Sequence, residues 1–176
     1  MQHHLADAFL AAVDAHRGKS CLTEGARDWR YEEIGGWACA AARFIASHEP
    51  REGNPVGILI PNSSLFAVHF FGALIANRVT MPINPLLKGE EIAAQIAHSG
   101  ARIVLSVEPH RRLMDQALEA LGNGFDVEVV YCDSLERPLP EELDLILNET
   151  LAVCEPHPAS DWDALAILLY TSGSTG

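Results

Sequence analysis

PVGILIPNSSLFAVHFFGALIANRVTMPI, residues 55–83, consists of an apolar run, a polar break, an apolar stretch of helix length and a second apolar run. The first run, 55–60, is continuous rather than alternating and is bounded by Pro and Asn, the pattern of a strand covered on both faces. Residues 64–76 are apolar almost all round, so the helix expected there must pack between layers. Residues 79–83 give the next strand. Strand, helix and strand in this order form a βαβ unit, which implies a mostly parallel sheet.

Working outward, the same alternation continues in both directions. Upstream, Leu5, Phe9, Ala12 and Val13 recur at helical spacing and Gly18 follows as a stop signal. Two short strands fit 20–23 and 28–31, joined by a turn at Glu24, Gly25 and Ala26. Ile34, Ala38, Ala41 and Ile45 then make one face of a helix that ends before Glu49 and Pro50. Downstream, a helix is expected over 90–99 with Gly100 at its stop, then a strand over 103–107. Pro109 opens a helix running to about Leu121, and 127–131 is a further strand. The expected fold class is α/β, a layered, mostly parallel sheet flanked by helices, occupying 1–131. Residues 132–160, rich in Pro and acidic side chains, read as an irregular connecting segment with a weak helix near 141–147. Residues 161–176 read as the start of a second subdomain.

Twelve Lys and Arg stand against 24 Asp and Glu, a formal charge of -12 over 176 residues. Such a field repels phosphate backbones and anionic lipid surfaces, which argues against nucleic acid as a partner. It also opposes nucleotides, so a nucleotide site here needs a local exception made by backbone amides, a metal ion or a placed Lys. The four cysteines form no CxxC pair and read as reduced thiols of a cytoplasmic protein. The longest apolar stretch, 65–76, is interrupted by His69 and is shorter than the roughly 20 residues a membrane span requires.

The chain closes on LAILLYTSGSTG, residues 165–176, an apolar strand leading directly into Thr171, Ser172, Gly173, Ser174, Thr175 and Gly176. Glycines let a backbone approach an anion and turn successive N–H groups toward it, and the hydroxyls add donors with little bulk. The GxxxxGK[ST] spacing of a Walker loop is absent. Two readings remain open on composition: a flexible Gly/Ser linker, or a phosphate-binding loop. The core-like strand in front favours the second.

YTSGSTG, residues 170–176, resembles the signature loop of the adenylate-forming enzymes, a superfamily of acyl-CoA ligases, peptide-synthetase adenylation domains and luciferases. Further segments are similar to that family in its order and at about its spacing: WRYEEI (29–34), VGILIPN (56–62), FFGAL (70–74), MPINP (81–85) and EEIAAQIAHSGA (90–101). Together they reach from Trp29 to the end of the chain. Asn84, with Leu86 and Leu87 following Pro85, resembles the acyl- or aryl-CoA ligase branch, since amino-acid adenylation domains usually carry Asp there. Asn77-Arg78 departs from the Ala-Gly common at that point, and Lys88 stands where a Ser or Thr often caps the next helix.

The resemblance implies the N-terminal part of the adenylate-forming enzyme large domain, with ATP and Mg2+ used by the parent protein, CoA as co-substrate and a small carboxylic acid as acyl donor. It also implies that Thr171, Ser172, Gly173, Ser174, Thr175 and Gly176 bind the ATP phosphates. In the family the charged groups and the mobile second domain lie later in the chain, so no catalytic residue and no metal site is assigned, and the chain is expected to be an inactive amino-terminal fragment. A strand at 165–170 cut from later sequence is expected to seek cover by self-association, or against the chain's own sheet. A non-catalytic α/β module acting by binding is the alternative. Four further residues carry expectations: His69 as a core histidine, Arg111 and Arg112 as a solvated helix face, and Asn62 either lining a substrate cleft or forming a turn.

Overall fold

The computed structural model describes residues 5–132 and 165–171. The elements are α1 (Leu5–His16), β1 (Ser20–Glu24), β2 (Arg27–Arg30), α2 (Tyr31–His48), β3 (Pro55–Leu59), α3 (Ser64–Ile75), β4 (Val79–Pro82), α4 (Gly89–Ser99), β5 (Ile103–Ser106), a 3-10 turn (Glu108–His110), α5 (Arg111–Leu121) and β6 (Glu128–Tyr131). Each expected element up to residue 131 is present, with one refinement: Pro109 starts the 3-10 turn, and α5 follows from Arg111. The connecting segment beyond 132 and the weak helix near 141–147 lie outside the described residues.

Local chemistry sets the helix ends. Ser63 caps α3, its Oγ accepting from the Phe66 N–H at 3.2 Å, a bond that satisfies one of the orphan donors of the first turn. Gly100 ends α4 at φ 72, the left-handed conformation that costs glycine least. Lys88 offers no acceptor to α4, as expected. Glu91 compensates by accepting the Lys88 backbone N–H at 2.8 Å, and Glu90 and Glu91 place negative charge at the positive helix end.

Four strands form a parallel sheet in the order β4-β3-β5-β6, and β1 and β2 make a separate antiparallel hairpin. The sheet divides the core into two. On one face Val56, Ile58, Ile103 and Leu105 pack with residues of α1, α2 and α3. On the other Leu59, Met81 and Val104 pack with Ile92 and Ile96 of α4 and Met114 and Ala117 of α5. Strand β3 is therefore buried on both sides, the reason its sequence is a continuous apolar run. Ile58 is fully buried, and truncating it to Ala would cost about 2–5 kcal/mol.

The Asn77-Arg78 departure has a structural answer. Asn77 adopts φ 56, a left-handed conformation that Asn tolerates better than most residues, and its side-chain amide donates to Glu52 Oε2 at 2.8 Å. Arg78 turns inward and is only 5% exposed. Its Nε donates to the Glu49 carbonyl at 2.8 Å and its Nη1 to the Ala76 carbonyl at 2.6 Å. Glu49 and Ala76 are the C-cap residues of α2 and α3. One guanidinium thus satisfies the carbonyl ends of two helices, where their dipoles favour a cation. Burial lowers the Arg78 pKa, and the charges of Glu52 and Glu49 oppose that shift.

The apolar segment 165–170, expected as a strand, is joined to the sheet among the described residues by one parallel bridge, Ile167 to Thr80. It lies beside β4, on the side away from β3. Cys21 is a free thiol, but Cys39 is disulfide-bonded. The expectation of reduced thiols fails at that position, because spacing along the chain does not report which sulfurs approach in space. Cys39 therefore drops out of the argument for a reducing compartment. No helix of the described residues is long and apolar enough to cross a membrane.

Candidate functional site

A cleft of about 770 Å³ opens at the carboxyl ends of β3 and β4. Ligands of open α/β sheets gather at such strand ends, where helix and loop backbones diverge. Ile60, Pro61 and Asn62 line it from the end of β3, residues 82–87 from the end of β4, Glu91 and Gln95 from α4, and residues 169–171 from the bridge segment. The pairing of β3 with β4 is carried to its rim by the Ile83 N–H, which donates to the Ile58 carbonyl at 2.9 Å.

The rim beyond β4 is an Asx-type turn. Asn84 Oδ1 accepts from the Leu86 N–H at 2.9 Å, and the Leu87 N–H donates back to the Asn84 carbonyl at 3.2 Å. An Asp would accept the same bond, so the turn alone does not select Asn at this position. Asn62 lines the cleft, while the capping of α3 falls to Ser63.

Thr171, the first residue of the candidate phosphate loop, stands exposed on the cleft wall. Ser172, Gly173, Ser174, Thr175 and Gly176 lie outside the described residues. Tyr170 is held toward α4. Its hydroxyl lies 2.7 Å from His98 Nδ1 and 3.4 Å from the Gln95 carbonyl, and its ring meets the His98 ring edge-on at 5.7 Å between centroids. Burial raises the Tyr170 pKa, against a smaller opposing effect of a hydrogen bond with Ser99, so the hydroxyl keeps its proton.

The electrostatics of the cleft are spare. Among the described residues that line it there is one carboxylate, Glu91, and no Lys or Arg. Glu91 is already engaged with the Lys88 amide. Gln95 Oε1 is shielded from solvent with no hydrogen-bond partner among the described residues. What the cleft offers a ligand is neutral: the Thr171 hydroxyl and the Asn62 and Gln95 side chains, amid apolar walls. Among the described residues no three His, Cys, Asp or Glu side chains cluster as a metal site.

The remaining sequence candidates lie elsewhere. His69 is fully buried in α3, within the helical layer. Arg111 and Arg112 are exposed on α5. Arg111 forms a two-pronged pair with Glu108 at 2.6 and 2.7 Å and stacks over the Tyr131 ring at 3.8 Å. Sequence reading missed His98, Gln95 and Thr80, and no local signal marks them, since their partners are 72, 75 and 86 residues away.

The family model of the AMP-binding enzymes matches residues 9–176, nearly the whole chain and through the TSGSTG loop. The chain belongs to the AMP-binding enzyme family. Among curated relatives of this AMP-binding chain, 4-coumarate–CoA ligase of Pinus taeda is 28% identical over 165 residues, covering 90% of the chain and 29% of that protein. Long-chain-fatty-acid–CoA ligase FadD13 of Mycobacterium tuberculosis (strain CDC 1551 / Oshkosh) is 28% identical over 148 residues, 83% of the chain and 27% of that protein. The chain thus spans under a third of the length of these relatives. A crystal structure of a benzoate CoA ligase from Burkholderia xenovorans LB400 superposes with a TM-score of 0.79 at 22% identity, over 96% of this chain and 33% of that one. That likeness is one of fold: the four-stranded parallel sheet with flanking helices is the N-terminal architecture of adenylate-forming enzymes.

Proposed function

We propose that this AMP-binding chain is part of an ATP-dependent carboxylate–CoA ligase. In this reading Thr171, Ser172, Gly173, Ser174, Thr175 and Gly176 hold the β- and γ-phosphates of ATP. The observation that carries it is the place of Thr171, on the wall of a cleft at the carboxyl ends of parallel strands. CoA as the thiol is favoured by Asn84 and by the activities named for the relatives.

The reaction runs in two steps. A carboxylate oxygen attacks the α-phosphorus of ATP, an O–P bond forms, the bond to the β-phosphate breaks, and pyrophosphate leaves with its electron pair. A thiol sulfur then attacks the acyl carbon, AMP departs and the thiol proton passes to solvent. Each step brings negative charge together, so catalysis needs positive charge where it develops. The described cleft residues supply hydroxyl and amide groups that orient a phosphate, and no cation. Mg2+ would supply such charge on the phosphate oxygens, and the described residues give it no ligand set. The chain taken alone is therefore proposed to be inactive.

ATP–pyrophosphate exchange with a panel of carboxylic acids, fatty and aromatic acids included, tests the reading on the full-length protein. Acid-dependent exchange followed by CoA consumption is the expected result. Exchange supported by no acid would remove the assignment. Thr175→Val should lower the rate at saturating acid, and an unchanged rate with unchanged ATP dependence would take Thr175 out of the site. Leu165 and Leu169 are 60% and 66% exposed, and through this surface the isolated chain is proposed to self-associate. Sedimentation at micromolar concentration decides that point.

A further inference from the structure

We infer that His98 and Tyr170 form a tether that positions the segment leading into the phosphate loop, which makes His98 a positioning residue of the ligase reaction. The inference depends on the reading of that loop as an ATP site. Among the described residues, the backbone of this segment is secured to the sheet only around Ile167: the Thr80 N–H donates to the Ala166 carbonyl at 2.9 Å and the Leu168 N–H to the Thr80 carbonyl at 2.8 Å. Residues 169–171 make no further backbone bond to the described residues. The next hold on the chain is the Tyr170 side chain, one residue before Thr171.

That hold is specific. Tyr170 OH meets α4 at His98 Nδ1, 2.7 Å away, and at the Gln95 carbonyl, 3.4 Å away, with Ser99 beside it. With either ring tautomer of His98 a bond closes: the hydroxyl donates to a bare Nδ1, or it accepts from Nδ1–H and donates to the carbonyl. The helix at the other end is fixed, since Ile92 and Ile96 of α4 are fully buried in the second core. His98 itself is exposed and its removal empties no core. Ordering a chain segment on a ligand costs conformational entropy. Fixing Tyr170, next to Thr171, in advance lowers that cost and shows in the affinity for ATP, while the acyl substrate is unaffected.

The test uses the full-length protein and its His98→Ala, His98→Gln, Tyr170→Phe and His98→Ala/Tyr170→Phe variants. Tyr170→Phe keeps the ring and removes only the hydroxyl. In ATP–pyrophosphate exchange, Tyr170→Phe and His98→Ala are expected to raise KM for ATP about two- to tenfold, the worth of one lost hydrogen bond, with KM for the acid unchanged. His98→Gln should restore most of the loss, and the double variant should be no worse than either single one, because the two side chains act as one unit. Equal KM values in wild type and Tyr170→Phe, or additive losses in the double variant, would overturn the tether. Amide hydrogen exchange over 168–171 gives a second readout, independent of catalysis. Faster exchange in Tyr170→Phe supports the tether even if no acid sustains exchange and the ligase reading itself fails, and unchanged exchange overturns it.

Discussion

The N–H and the Oγ1 of Thr80 both donate to one acceptor, the carbonyl of Ala166, at 2.9 and 3.2 Å. Thr80 is fully buried, while the acceptor side at Ala166 is half-buried. Thr80→Val keeps the branched shape and both backbone bonds and deletes only the hydroxyl. It should cost about 1 kcal/mol, read as a lower denaturant midpoint with unchanged slope. The Leu168 amide should exchange faster with solvent, and an unchanged midpoint would show the second bond to be idle.

Arg78 joins the carbonyl ends of α2 and α3 through a buried guanidinium. Arg78→Met preserves much of the side-chain volume and leaves the Glu49 and Ala76 carbonyls without that donor. The expected loss is about 2–4 kcal/mol in chemical denaturation. A change under about 0.5 kcal/mol would mean that water replaces the donor at no cost.

Glu49 carries the clearest acid sensitivity. The Arg51 side chain, hydrogen-bonded to both carboxylate oxygens at 3.0 and 2.9 Å, holds its pKa down at about 2 against an ordinary 4.5. A depressed carboxylate pKa contributes stability that is fully present above the ordinary value and is lost as pH falls through the folded one. The loss should therefore appear between about pH 4.5 and 2. With Arg51 half exposed, its size should be on the order of 2 kcal/mol. Glu49→Gln should be less stable at neutral pH, with a shallower acid slope over that window; parallel slopes would reassign the effect.

At Gly72 the space decides the sign. Replacing a helix-interior glycine by alanine ordinarily stabilises by about 0.5–1 kcal/mol. Here the new Cβ would stand 2.7 Å from the Ala41 Cβ and 3.0 Å from the Ala38 carbonyl, where α3 crosses α2. Gly72→Ala is expected to destabilise by about 1–3 kcal/mol through overpacking. A rise in thermal midpoint would show that the two helices separate easily.

Legibility followed distance along the chain. The strand at 55–59, the all-round apolar helix after it and the left-handed stop at Gly100 rest on neighbours within a few residues, and sequence pattern reads them. Arg78 stood out in sequence only as a departure from the common Ala-Gly, because its acceptor at Glu49 lies 29 residues back. His98 looked like any polar residue in a last helical turn, since its partner is 72 residues on. For 165–170, hydrophobicity indicated burial yet could not show that pairing among the described residues comes to one bridge, with Leu165 and Leu169 exposed. As for the site, Thr171 lies on the wall of a cleft at the strand ends, and that cleft is assembled from segments that carry no shared signature.

The bridge between Thr80 and Ile167 spans a far longer stretch of chain than any pairing inside β3 to β6. Closing it costs about 1 kcal/mol more loop entropy than closing β3 on β4, and among the described pairings it is the last that synthesis makes available. On a ribosome adding roughly 5–20 residues per second, residue 167 emerges on the order of ten seconds after β4 is made. Through that interval the Thr80 N–H and carbonyl lack the Ala166 and Leu168 partners they have in the finished sheet. An unpaired edge is a template for pairing with another chain, so crowded polysomes making this protein face a hazard of strand exchange between neighbouring nascent chains during that interval.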